Sequence, residues 1–135
     1  MPEDKPNLDL ISKVQRARMM HDADAKPSQV SAVYWIEAKS QTADTPQPTP
    51  RAGQWVLDTT VTQVDSQWAQ VKQATEAGKL GYKSKVSTAS HDQRDPDARR
   101  IVVRTYDSDD QDDVKRIGET LSTLKLSGEW HYETE

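Results

Sequence analysis

The sequence predicts one α+β domain in which strand-like and helix-like stretches alternate along the chain. Two observations carry this prediction. Short runs rich in β-branched and aromatic residues alternate between apolar and polar positions, the pattern of half-buried strands. Between them lie longer runs whose apolar residues recur every three or four positions, the pattern of amphipathic helices.

The first 28 residues read as an arm and residues 29–135 as the domain. Residues 1–6 are polar and hold two prolines. Residues 7–20 read as a helix capped by Asn7, with Leu10, Ile11 and Val14 at helical spacing. Lys13, Arg16 and Arg18 fall in its later turns, where cations suit the helix dipole. Residues 21–27 read as a connector.

In the domain, Val33–Ala38 reads as a strand. Residues 40–53 hold three prolines, several threonines and Gly53, and read as a surface loop. Gln54–Asp58 is a second strand. A helix follows over 62–77, with Thr62 as its expected N-cap and Asp65 in its first turn. Its inward stripe is Val64, Trp68, Val71 and Thr75, and Gly78 is expected to close it in the left-handed conformation. Tyr82–Ser87 is a third strand and 91–98 a polar turn. Arg100–Tyr106 is a fourth strand. The five aspartates between 107 and 113 favour a helix start. That helix reaches about Leu124, with Val114, Ile117, Leu121 and Leu124 on one side. After Gly128, residues 129–132 read as a short edge strand.

Composition limits what the domain does. Of 135 residues, 33% are hydrophobic and 30% charged, a well-solvated surface around a modest core. The formal net charge of −4 argues against generic attraction to nucleic acid or anionic membrane. There is no cysteine, so disulfides, thiolate metal sites and a cysteine nucleophile are excluded. No apolar run approaches membrane-spanning length, and the N-terminus shows no apolar signal core. A cytoplasmic protein without cofactor or metal is expected. No phosphate-binding glycine loop, zinc motif or nucleophile elbow is present, and the acidic run 107–113 lacks the spacing of a calcium loop.

Strand alternation singles out a basic set. In the third strand Lys83, Lys85 and Ser87 share a face. In the fourth, Arg100, Val102, Arg104 and Tyr106 lie opposite Ile101, Val103 and Thr105. If the two strands are neighbours, Lys83, Lys85 and Arg104 converge. Like charges close together on a sheet are destabilising unless an anion or acidic side chains offset them. Arginine suits phosphate oxygens through its planar fork, lysine as a point charge. The candidate ligand set is therefore Lys83, Lys85, Arg100, Arg104 and Tyr106, with Trp35 and Trp55 as candidate ring platforms. The alternative is a solvated surface whose cations pair with Glu37, Asp58 or other acids.

Short stretches of the chain resemble a known family. Ala52-Gly53-Gln54-Trp55-Val56-Leu57, Trp68, Gly78-Lys79-Leu80-Gly81, Lys85-Val86-Ser87 and the run Arg100–Asp107 resemble the uncharacterised family of the basophilic leukaemia expressed protein, over about residues 31–135. Some microbial members of that family carry a phosphothreonine-lyase label. The resemblance implies a fold like that of the messenger-RNA cap-binding initiation factor, a curved antiparallel sheet with helices on its convex face. It also implies a concave face as ligand site. The expected function is binding of a nucleotide, a nucleotide-like messenger or a phosphopeptide on that basic face. One alternative is a lyase acting by β-elimination, with Lys85 as base and His91 as acid. The other is a protein–protein interaction module using the N-terminal helix or the 40–53 loop.

Overall fold

The computed structural model describes residues 26–30, 33–90 and 94–134. The N-terminal helix expected over 7–20 and the candidate acid His91 lie outside the described residues. Five strands and two α-helices follow in order: β1 (Trp35–Lys39), β2 (Gly53–Thr60), α1 (Val64–Glu76), β3 (Lys83–Ser87), β4 (Ala98–Thr105), α2 (Gln111–Thr123) and β5 (Trp130–Thr134). The strands form one antiparallel sheet in the order β1-β3-β4-β2-β5. The α+β class and the antiparallel sheet with two helices are as the sequence predicts.

Both helices lie against one face, because their apolar stripes meet the apolar half of each strand. Val64, Trp68 and Val71 of α1 and Ile117 and Leu121 of α2 join Ile36, Ala38, Leu57, Val86, Ile101 and Val103 in one buried cluster. The core also holds polar groups; its hydroxyls and the Gln67 amide are paired, whereas the buried Trp68 Nε1 has no hydrogen-bond partner among the described residues. The Thr75 hydroxyl donates to the Val71 carbonyl at 2.8 Å and lies 2.5 Å from the Ser84 hydroxyl. Thr59 donates to Gln67, whose amide reaches the Ser127 carbonyl at 3.1 Å.

Helix ends follow local chemistry, with one correction. Gly78 adopts φ +78°, Lys79 N donates to Ala74 O and Gly78 N to Thr75 O, each at 3.0 Å. This is the reciprocal C-terminal closure that a left-handed glycine permits. At the other end Thr62 is not the cap. The cap position is Gln63, which makes no side-chain cap bond, and the Thr62 hydroxyl instead lies 2.9 Å from that of Thr60. Asp65 accepts from the Ser28 amide at 3.0 Å and the Ser28 hydroxyl at 2.5 Å, fastening a 3-10 turn at Pro27–Gln29 to the start of α1. In α2, Asp110 caps the Asp113 amide at 3.1 Å, and Asp112 and Asp113 occupy the first turn.

The stretch between β1 and β2 is tied down. Gln41 N donates to Glu76 O, Thr49 N to Tyr106 O and Ser108 N to Arg51 O. The Arg51 guanidinium grips Asp107, its Nη2 reaching Oδ2 at 2.6 Å and its Nε reaching Oδ1 at 3.1 Å. This grip holds the Asp107 carboxyl below the usual carboxylate range and raises the Arg51 pKa. Among the described residues no helix is long and apolar enough to cross a membrane.

Candidate functional site

The sheet face turned away from α1 and α2 carries the candidate basic residues. β3 and β4 are neighbours, and their register sets Lys83 opposite Arg104 and Lys85 opposite Val102. Paired residues of antiparallel strands share a face, so three cross-strand rows can be followed. One runs Lys39, Lys83, Arg104, Gln54, Glu133. The next runs Glu37, Lys85, Val102, Val56, His131. The third holds Trp35, Ser87, Arg100 and Asp58, joined by the Trp35–Ser87 and Asp58–Arg100 pairs and by a 2.8 Å bond from the Arg100 amide to the Ser87 hydroxyl.

This face is polarised. On β1, β3 and β4 it bears Lys39, Lys83, Lys85, Arg100 and Arg104 against the single carboxylate of Glu37. On β2 and β5 it bears Asp58 and Glu133 beside Gln54 and His131. Between the halves lie Val56 and Val102, opposite each other and both buried.

Individual contacts give the rows their chemistry. Lys83 Nζ lies 3.3 Å from Glu37 Oε2, and Arg100 Nε lies 3.0 Å from Asp58 Oδ1. The two acids named from sequence as possible neutralisers are thus the partners found. Arg104 is also held by neutral groups. Its Nε donates to the Tyr82 hydroxyl at 3.1 Å and its Nη1 to Gln54 Oε1 at 2.9 Å, two neutral groups that fix the plane of the guanidinium. Gln54 turns its Nε2 to Glu133 Oε2 at 3.1 Å, and Glu133 Oε1 lies 3.0 Å from His131 Nε2. A hydrogen-bonded chain therefore runs Tyr82–Arg104–Gln54–Glu133–His131 across three adjacent strands. The Gln54 amide, followed by His131, holds the Glu133 carboxyl below its ordinary range.

Three aromatic candidates are sorted by the fold. Trp35 lies on the charged face, with Lys85 Nζ 4.3 Å from its ring centroid and Tyr34 edge-on at 5.1 Å. One surface of the indole thus already receives a cation. Trp55 lies on the opposite face. Its Nε1 donates to the Val114 carbonyl of α2 at 3.1 Å, and its ring packs over Gly118 and edge-on to Tyr132. Trp55 therefore stands apart from the basic set. The signal for this is in the sequence, because Gln54 and Asp58 are polar and share a face that excludes Trp55 and Leu57.

Tyr106 also stands apart. β4 ends at Thr105, so strand alternation stops before it. Its hydroxyl donates to the Asp110 carboxylate that caps α2, which pushes the phenol up to about 12 with help from burial. Sequence reasoning missed Tyr82, Gln54, His131 and Glu133. The last two became visible only with β5 paired to β2 through Gln54–Glu133 and Val56–His131.

Comparison with known proteins fits this fold to a family. Residues 12–132 match the family described as Basophilic leukemia-expressed protein Bles03. The chain belongs to the Bles03 family. The Bles03 match starts well before residue 31, where the sequence resemblance begins, and takes in part of the helix expected over 7–20. Its description names no activity. No curated protein matches the chain. Among the described residues, no group of three or more His, Asp or Glu side chains is placed to hold a metal ion.

Proposed function

We propose that this protein binds a phosphate-bearing ligand on the charged sheet face, with Lys83, Lys85 and Arg104 as the anion contacts. The observation that carries it is the β3–β4 register. It sets Lys83 directly across from Arg104 while Tyr82 and Gln54 hold the guanidinium in a fixed plane. Two cations opposite each other on a sheet repel. An oriented guanidinium beside an ammonium matches a phosphate, whose oxygens accept from the remaining guanidinium N–H groups and from the ammonium. Nucleotides, nucleotide-like messengers and phosphopeptides all offer that group.

The β-elimination alternative requires Lys85 to give up its proton. The Trp35 ring beneath its ammonium favours the charged form, so the contact works against a general base. Lys85 therefore serves the anion-contact set as a charged ammonium.

Calorimetric titration with a nucleotide panel and phosphopeptides tests the proposal. At least one phosphorylated compound is expected to bind. Arg104→Ala should weaken it about tenfold or more, the scale of a lost charge-assisted hydrogen bond. Binding that is indifferent to both Arg104→Ala and Lys83→Ala would overturn it.

A further inference from the structure

The polarity of the charged face says more about the ligand than its basic half alone. Resting on the phosphate-binding reading, we infer that the natural ligand is a phosphopeptide that also carries a lysine or arginine about three residues from its phosphorylated residue. The phosphate sits over Lys83 and Arg104, and the cation is taken by Glu133 on β5.

Glu133 is prepared to receive a cation. Its Oε2 accepts from Gln54 and its Oε1 faces His131, so the carboxylate is fixed in place, yet its side chain keeps 43% of its exposure. A carboxylate oxygen accepts more than one hydrogen bond, so both can take a further donor. Gln54 joins the two ends of the face, accepting from Arg104 with one amide atom and donating to Glu133 with the other. The anion end and the cation end are therefore positioned by one side chain. Arg104 and Glu133 lie two strand spacings apart, about 10 Å at ~4.8 Å per spacing. An extended peptide covers this distance in about three residues at ~3.3 Å each.

The surroundings favour a peptide over a nucleotide. A base bound near Glu133 would gain from an aromatic surface beside it. On β2 and β5, alternation places Trp55, Trp130 and Tyr132 on the helix-covered face, and the charged face carries the smaller His131 imidazole, whose Nε2 is engaged 3.0 Å from Glu133 Oε1.

The test uses the full chain and three fluorescently labelled phosphothreonine peptides. They are identical except for Lys, Ala or Glu three residues from the phosphate, with the series made on both sides of it. Polarisation titrations are run with the wild type, Glu133→Gln and Arg104→Ala. In at least one series the wild type is expected to bind the Lys peptide about fivefold tighter than the Ala peptide, the scale of one partly exposed ion pair, and the Glu peptide weakest. Glu133→Gln should erase the Lys preference, so that the Lys and Ala peptides bind alike. Arg104→Ala should weaken every phosphopeptide.

Equal affinity for Lys and Ala peptides in both series overturns the inference, as does a Lys preference that survives Glu133→Gln. Either result, with Arg104 still required, leaves phosphate binding standing. Binding of nucleotides but of no phosphopeptide does the same. Failure of all phosphorylated probes overturns both.

Discussion

The two faces of one sheet are built on opposite terms. Toward α1 and α2 the strands present Ile36, Leu57, Val86, Ile101 and Val103, with hydroxyl pairs such as Thr75–Ser84 closed among them. On the other side the same strands present lysine, arginine, glutamate and glutamine, bonded to one another across strands but still partly exposed. Burial on the first face stabilises the fold by excluding water. On the second, each contact trades a protein partner for a hydrated one, and little net stability follows. Stability and ligand chemistry are thus divided between the faces, and substitutions should separate them.

Trp68→Ala should have the largest effect. The indole is buried at 1% exposure, and its removal should cost about 3–5 kcal/mol of stability in denaturant unfolding. The folded fraction should keep its affinity for phosphorylated ligand. An equal loss on both counts would show that the faces are not independent.

Gly81→Ala probes where they meet. A Cβ at Gly81 would lie 1.7 Å from the Arg104 carbonyl oxygen, so the backbone of β4 must move. A stability loss of about 1–3 kcal/mol is expected, with weaker phosphate binding as Arg104 shifts. Unfolding curves and titrations on the same sample would show whether the two losses travel together.

Substitutions confined to the charged face should be gentler on the fold. Across a double-mutant cycle of Lys83→Ala and Glu37→Ala, the coupling should stay below about 1 kcal/mol, because both side chains are partly exposed. A much larger coupling would mean that this face contributes to stability as the other does.

The mildest change is a response to acid. Asp107 and Asp110 have folded pKa values below their ordinary ones, held there by Arg51 and by Tyr106 respectively. Their contribution is complete above the unfolded value of about 3.9 and is lost as pH falls through the lowered folded values. Amide exchange should show the Thr49 and Ser108 bonds that tie the β1–β2 stretch opening in that range, ahead of the core strands. Arg51→Ala should open them at neutral pH.

Much of this fold is legible in the sequence. Helical stripes gave Trp68, Val71, Ile117 and Leu121, and Gly78 marked the end of α1. Alternation gave Lys83 with Lys85 and Arg100 with Arg104, because a period of two assigns faces without knowledge of neighbours. Strand order was not legible, since no local pattern encodes which edge meets which. Trp55 was misjudged for a related reason. Trp55, Val56 and Leu57 are all apolar, as befits a strand buried on both faces, and only the flanking Gln54 and Asp58 set the parity. The Arg104–Gln54–Glu133 chain required β2 to lie between strands drawn from distant parts of the sequence.

That position of β2 governs the order in which the chain assembles. β2 is finished at residue 60, but its partners span residues 98–105 and 130–134. During synthesis Val56 and Leu57 therefore wait for distant segments before either edge of their strand is satisfied. Such long-range pairing slows folding and leaves apolar strand edges open to other chains in the meantime. β5, the last strand among the described residues, supplies Glu133 and also pairs the outer edge of β2.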